Sequence, residues 1–136
     1  MPLILAAPGT GKTTWAKTHS EWHDMDELYR ALHDESWHAR KRTEADEATH
    51  YRAIDAAVEK DRSKLNIIGS LFWDIVPDAV VFIDPEEHKR RVEARPDLQW
   101  ADAQRVVRTL HAIAAKNYVP RFTSFDAAAA FIQKNK

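Results

Sequence analysis

Ala6-Ala7-Pro8-Gly9-Thr10-Gly11-Lys12-Thr13-Thr14 is the stretch that decides the fold. It matches the phosphate-binding loop pattern, with Ala6 where that pattern has its first glycine. The chain holds only three glycines, and Gly9 and Gly11 both fall here. They supply unusual dihedrals and close approach, so that successive backbone N–H groups can turn toward one anion. Ala7, Pro8, Gly9, Thr10, Gly11, Lys12, Thr13 and Thr14 are therefore candidate binders of a polyphosphate. A helix following the loop would present its amino end to the same charge. Lys12 can reach the outer phosphates as a mobile point charge, and the Thr13 hydroxyl can hold Mg²⁺. The competing reading is an ordinary strand–turn–helix corner with a chance Gly-Lys-Thr. Context disfavours it: an apolar run precedes the loop and a helix-compatible stretch follows.

Working outward, Pro2 to Ala6 reads as a buried strand and Gly11 to about His19 as a helix. A second short strand is expected over Trp22 to Met25, and a helix over Glu27 to His33. Thr43 can cap a helix, with Asp46 three residues on. Ala48, Tyr51, Ile54 and Val58 then recur at helical spacing. Leu65 to Gly69 and Ala79 to Asp84 are further strands. Pro85 opens a helix running to about Arg95, and Pro96 ends it. Another helix is expected from Trp100 to Lys116, with Val106, Val107, Leu110 and Ile113 on one face. Tyr118 to Thr123 reads as an edge strand because of Pro120, and Ser124 as the cap of a last helix. Strands alternating with helices predict a three-layer α/β domain with a mainly parallel sheet.

The 136 residues fit one domain, 1–136. Apolar residues make up 44% and charged residues 30%, a globular balance. Lys and Arg number 20 against 21 Asp and Glu, which excludes a dedicated basic coat for nucleic acid but not a local basic patch. There is no cysteine, so disulfide frameworks, thiolate zinc sites and cysteine nucleophiles are excluded. The first residues show no basic n-region, and no apolar run approaches the roughly 18 residues of a membrane span, so a cytoplasmic location without membrane contact is expected.

Three further features bear on chemistry. Asp24 and Asp26 are an i, i+2 pair that would share one face of a strand beside the loop. One could assist Mg²⁺, and the other could accept the proton of an attacking hydroxyl. The alternative is a polar strand end or a helix cap. Arg91 and Arg95 lie four apart on one helix face and could neutralise the charge of a transferring phosphoryl group. A merely solvated face is the rival reading. Val80-Val81-Phe82-Ile83-Asp84 resembles a Walker B strand, in which Asp84 would hold metal through water, yet Pro85 lets Asp84 simply cap the next helix. Trp15, Phe72, Trp73, Phe131 and Ile132 suit core packing. The seven histidines show no paired-ligand spacing, and no Gly-x-Ser-x-Gly elbow occurs.

Pro8 to Ala16, Pro-Gly-Thr-Gly-Lys-Thr-Thr-Trp-Ala, resembles the P-loop of polynucleotide kinases and related small kinases. Asp24-Met25-Asp26-Glu27-Leu28 resembles the second-strand motif of shikimate and gluconate kinases. Ile83-Asp84-Pro85 to Arg95-Pro96 is similar to the strand, helix and lid arginines of nucleoside monophosphate kinases. The resemblance implies a five-stranded parallel sheet with the P-loop strand central, and ATP and Mg²⁺ as donor and cofactor. It implies that Lys12 and Thr13 serve phosphate and magnesium, and that Asp26 is the base. By the same resemblance Arg30 lies near an acceptor-binding arginine, one residue out of register, and Arg91 and Arg95 act from a lid of about residues 86–100.

An acceptor-binding insertion is expected over about residues 30–64. It carries Arg30, His33, His38, Arg40, Lys41 and Arg42 with Trp37 and Tyr51 interleaved. Basic groups among aromatics suit a nucleotide or a single strand, and a solvated polar helix is the plainer reading. The expected activity is transfer of the γ-phosphoryl group of Mg-ATP to a hydroxyl of a nucleoside, nucleotide or polynucleotide, a modified base in DNA included. Arg30, Arg40 and Arg42, with Asp26, would then meet the acceptor. The alternatives are a small-metabolite or sugar-nucleotide kinase, and an ATPase or nucleotide-binding module with no acceptor.

Overall fold

The computed structural model describes residues 2–29, 43–70 and 75–135, without the side chains of Asp46, Glu47 and Tyr51. Five strands form one parallel sheet: β1 (Leu3–Ala6), β2 (Trp22–Asp24), β3 (Asn66–Gly69), β4 (Ala79–Val81) and β5 (Arg121–Phe122), in the spatial order β2-β3-β1-β4-β5. The helices are α1 (Lys12–Lys17), α2 (Met25–Leu28), α3 (Glu44–Asp61), α4 (Pro85–Glu93), α5 (Trp100–Asn117) and α6 (Phe125–Lys134).

β1 is central because all four of its side chains are apolar and fit a strand covered on both faces. It pairs with β3 through Leu3 opposite Ile67, and with β4 through Leu5 opposite Val80. Successive side chains leave a strand on opposite faces. Leu3 and Leu5 accordingly join Ile67, Val80, Ile54 and Val58 of α3 and Leu110 and Ala114 of α5 in one core. Ile4 and Ala6 join Ile68, Ala79 and Val81 with Phe125, Ala128 and Ile132 of α6 in the other, where Trp15 of α1 packs at the margin. These are the helix–sheet–helix layers that the alternating pattern predicts. Leu3, Ile4, Leu5, Ile67 and Ile68 are fully buried, and each contributes about 1.5–3 kcal/mol relative to an exposed position. Asp78, just before β4, ties the layers at the far end of the sheet: it accepts the Leu3 N–H at 2.7 Å and an Arg62 Nη2 bond at 2.6 Å.

Several boundaries differ from expectation, α2 ending at Leu28 rather than His33 among them, and three of them have a clear local reason. β2 ends at Asp24 and α2 begins at Met25, because the Asp24 carboxylate caps α2 by accepting the Asp26 N–H at 2.8 Å. β5 starts at Arg121 rather than Tyr118. Tyr118 takes a left-handed conformation, φ 55°, and Val119 donates its N–H to Ala114, so these residues close α5. Pro120 has no N–H to offer the ladder, which leaves a two-residue edge strand, and β4 accordingly ends at Val81 rather than Asp84. Phe131, expected in the core, is 38% exposed and packs beside Phe122. Phe72 and Trp73 lie outside the described residues. Among the described residues no helix is long and apolar enough to cross a membrane.

Candidate functional site

The loop leaves the carboxyl end of β1, and both glycines take conformations that residues with a Cβ rarely adopt: φ is 81° at Gly9 and 93° at Gly11. Gly11 is the N-cap of α1 and offers no side chain, so the first amides of that helix keep no side-chain acceptor. Thr10 closes the bend by donating its hydroxyl to the Ala7 carbonyl at 2.8 Å. α4 braces the bend from outside. His88 Nε2 donates to the Pro8 carbonyl at 2.8 Å, and Arg91 Nη1 donates to the Thr10 carbonyl at 2.9 Å. A Cβ on Gly9 would lie 2.5 Å from Val92 Cγ2, so that glycine is also required by the packing of α4 against the loop. Ala7 and Pro8 thus hold the loop from behind, through their carbonyls.

Lys12 is only 7% exposed. Burial lowers its pKa below the ordinary lysine value; Asp26 and Asp24 pull it back up, and the Arg95 guanidinium adds to the lowering. Thr13 donates its hydroxyl to Asp24 Oδ2 at 2.5 Å, and Asp24 is 4% exposed. Asp26 belongs to the first turn of α2. As a residue it is exposed, yet enough protein surrounds its carboxyl for desolvation to raise its pKa, with Lys12 opposing and Asp24 and Glu27 reinforcing the rise. The two aspartates therefore do not share a strand face, as their spacing suggested: the cap on α2 separates them. They still converge on Lys12, one through the strand end and one through the helix turn.

Between the loop and the β5–α6 corner lies a cleft of about 580 Å³, lined by Gly9, Thr10, Gly11, Thr14, Trp15, Thr18, Arg91, Arg95 and Phe125. Arg91 is held there by Glu87, its Nε 2.9 Å from Oε1, and Glu87 also takes Arg90. Arg95 forks onto Asp97 at 2.8 and 3.2 Å. Both sequence-selected arginines therefore face the cleft. The Asp84 carboxylate caps α4, accepting the Glu87 N–H at 3.1 Å. Arg30, Arg40 and Arg42, with His33, Trp37, His38 and Lys41, lie outside the described residues.

The oxygen pair of Thr13 and Asp24 suits a hard cation, and magnesium keeps most of its shell as water and phosphate oxygen. Among the described residues there is no group of three or more His, Cys, Asp or Glu able to form a dedicated metal cage. Sequence inspection passed over His88 and Val92. Their signal was the i, i+4 spacing that puts both on the buried face of α4.

No protein-family model matches this chain, and no curated protein matches it in sequence. Among solved structures it is similar to shikimate kinase from Bacteroides thetaiotaomicron, with a TM-score of 0.50 and 15% identity over 97% of this chain and 93% of that one. A chain of the Pnkp1/Rnl/Hen1 RNA repair complex is similar at a TM-score of 0.49 and 15% identity over 84% of this chain, which spans 44% of the length of that one. The likeness to shikimate kinase shows the fold, a three-layer α/β P-loop fold.

Proposed function

We propose that the chain is a phosphotransferase that moves the γ-phosphoryl group of Mg-ATP to a hydroxyl of a nucleoside, nucleotide or polynucleotide, a modified base in DNA included. The observation that carries the proposal is the convergence at one loop of a buried lysine, a Thr13–Asp24 oxygen pair and a carboxyl of raised pKa at Asp26. A loop that only bound nucleotide would have no use for a base beside its lysine.

The chain's own groups divide the work. The amides of Gly9 to Thr13 and the Lys12 ammonium bind and orient the triphosphate. Thr13 and Asp24 would hold magnesium, which supplies charge neutralisation at the phosphates when bound. Asp26, in its ionised form, takes the proton of the attacking hydroxyl. Arg91 from α4 and Arg95 from the turn just past its end face the triphosphate and neutralise charge as it spreads over the transferring group. Arg30, Arg40 and Arg42 meet the acceptor. Asp84, as an N-cap, has no part in the proposal.

Labelled ATP offered with panels of nucleosides, nucleotides, oligonucleotides, modified DNA, sugars and hydroxy acids tests this directly. Label should pass to a nucleoside-containing acceptor and should not do so in Lys12→Ala. Label on a sugar or hydroxy acid instead would make the chain a small-metabolite kinase. Acceptor-independent phosphate release would make it an ATPase.

A further inference from the structure

A second cavity, of about 200 Å³, lies between β4, α4 and α5. Among the described residues it shares only Thr10 with the cleft, and none of Lys12, Asp26 and Arg95 lines it. Its walls are aromatic. Phe82 stacks on His111, with centroids 3.7 Å apart and 3° between planes, and His88 meets Trp100 edge-on at 5.0 Å. Among the described residues no Asp or Glu lines it. Gln104 and Arg108, both exposed, have no hydrogen-bond or ion-pair partner among the described residues.

His88 supplies the sharpest clue. It is 3% exposed, and its Nε2 faces the Pro8 carbonyl. A carbonyl only accepts, so the neutral ring carries its proton on Nε2 and Nδ1 is an acceptor. Nδ1 has no partner among the described residues. An imidazole nitrogen and a guanidinium without partners among the described residues, set beside aromatic walls, suit a ligand with matching groups.

We propose that this cavity is a second binding site, for a planar heteroaromatic ring that bears an N–H donor and an anionic tail, the chemistry of a nucleoside monophosphate. The aromatic walls cover the ring. His88 Nδ1 accepts from the ring N–H, and Arg108 takes the anion in its planar fork. Thr10 lines both this cavity and the cleft, and His88 of α4 bonds the loop at Pro8, so an occupant here would be coupled to the occupant of the cleft, and the coupling would be reciprocal. The site stands whether or not the chain transfers phosphate.

Calorimetry on the full chain tests it, with the cleft first saturated by magnesium and a non-hydrolysable ATP analogue. Monophosphates of each common base are then titrated, with free nucleosides and ribose 5-phosphate as the arms lacking the anion or the ring. At least one monophosphate should bind once per chain, about tenfold or more tightly than either arm. Arg108→Glu should weaken that monophosphate about tenfold and leave its nucleoside unchanged. Val107→Trp, which fills the cavity, should abolish both, and Gln104→Trp at the rim serves if a melt shows Val107→Trp unfolded. Asp26→Asn should change none of this. Absence of binding with the cleft filled, or indifference to all three cavity variants, overturns the proposal. Loss of binding in Asp26→Asn also overturns it, because the monophosphate then sits at the reaction centre. Absence of heat from the ATP analogue itself would instead refute the loop assignment, and the second titration would still report on the cavity.

Discussion

Gly9→Ala would place a methyl carbon 2.5 Å from Val92 Cγ2, on a backbone with φ at 81°. The two penalties are separable. A left-handed backbone costs a residue with a Cβ roughly 1–2 kcal/mol. The overlap has no easy relief: Val92 is fully buried and β-branched, and it sits on the helix that His88 and Arg91 fasten to the loop. Overpacking of this kind costs about 1–3 kcal/mol, for a total of about 2–5 kcal/mol. Val92→Ala removes Cγ2 and leaves the new methyl 3.7 Å from the Val92 Cα and 3.5 Å from Leu98 Cδ1, both ordinary contacts. Alone, Val92→Ala should cost roughly 2 kcal/mol in lost burial and cavity. In the double variant the overlap disappears, so it should be more stable than the sum of the singles by about 1–3 kcal/mol. Urea unfolding of all four proteins reads this, with ATP-analogue titration alongside. Gly9→Ala should weaken nucleotide binding and the double variant should recover part of it. Additivity within about 0.5 kcal/mol would show that α4 does not brace the loop, and the reasoning would fail.

Asp26→Asn should spare nucleotide binding and cut kcat by about two orders of magnitude or more, as single-turnover kinetics would show. Because the Asp26 pKa is raised, the acid limb of kcat/KM should fall above the ordinary value of 3.8 and vanish in Asp26→Asn; a limb that persists in the variant belongs to another group. Lys12→Met should abolish turnover yet leave stability at neutral pH undiminished. Burial lowers the Lys12 pKa, so the wild-type protein gains stability as pH rises from that lowered value toward 10.5, and the variant should lack this slope in urea titrations. Asp24→Ala should raise the magnesium concentration needed for half-maximal activity and cost about 1 kcal/mol through loss of the α2 cap. A normal magnesium requirement would remove Asp24 from the metal site.

The loop was legible because its glycines encode backbone geometry directly: two left-handed residues at fixed spacing leave few other uses for the stretch. The strands of the core were legible as apolar runs, α5 as a periodic face and α6 by the cap ahead of it, whereas the close of α5 at Tyr118 was hidden in what read as a strand. Ser124 caps α6 through the Ala127 N–H at 3.1 Å, as its position ahead of an apolar run suggested. Asp24 and Asp26 misled because their spacing fits a strand face as well as it fits a cap followed by a helical turn. Only the hydrogen bond between them decides, and hydrogen bonds have no signature in spacing. Histidine 88 was hidden for a different reason. Its role depends on a carbonyl eighty positions away in the chain, and such a contact exists only once the sheet has brought β1 and β4 side by side.

Charge, more than backbone, is where the site departs from what folding alone would favour. Both principal ionisable groups of the loop region are perturbed in the direction that disfavours their charged form, and in both the largest cause is burial. A cation of lowered pKa and an acid of raised pKa, each partly compensating the other, could relax by moving into solvent. They are prevented by the Thr13–Asp24 bond, the α2 cap and the brace from α4. A polyphosphate would relieve this arrangement asymmetrically. Its negative charge favours protonated Lys12 and, by occupying the lysine, withdraws from Asp26 the counter-charge that keeps its pKa from rising further. Asp26 then becomes the stronger base at the moment when an acceptor proton must be removed. Nucleotide binding should therefore be accompanied by proton uptake at alkaline pH, where Lys12 is partly neutral, and should shift the acid limb of kcat above that of kcat/KM.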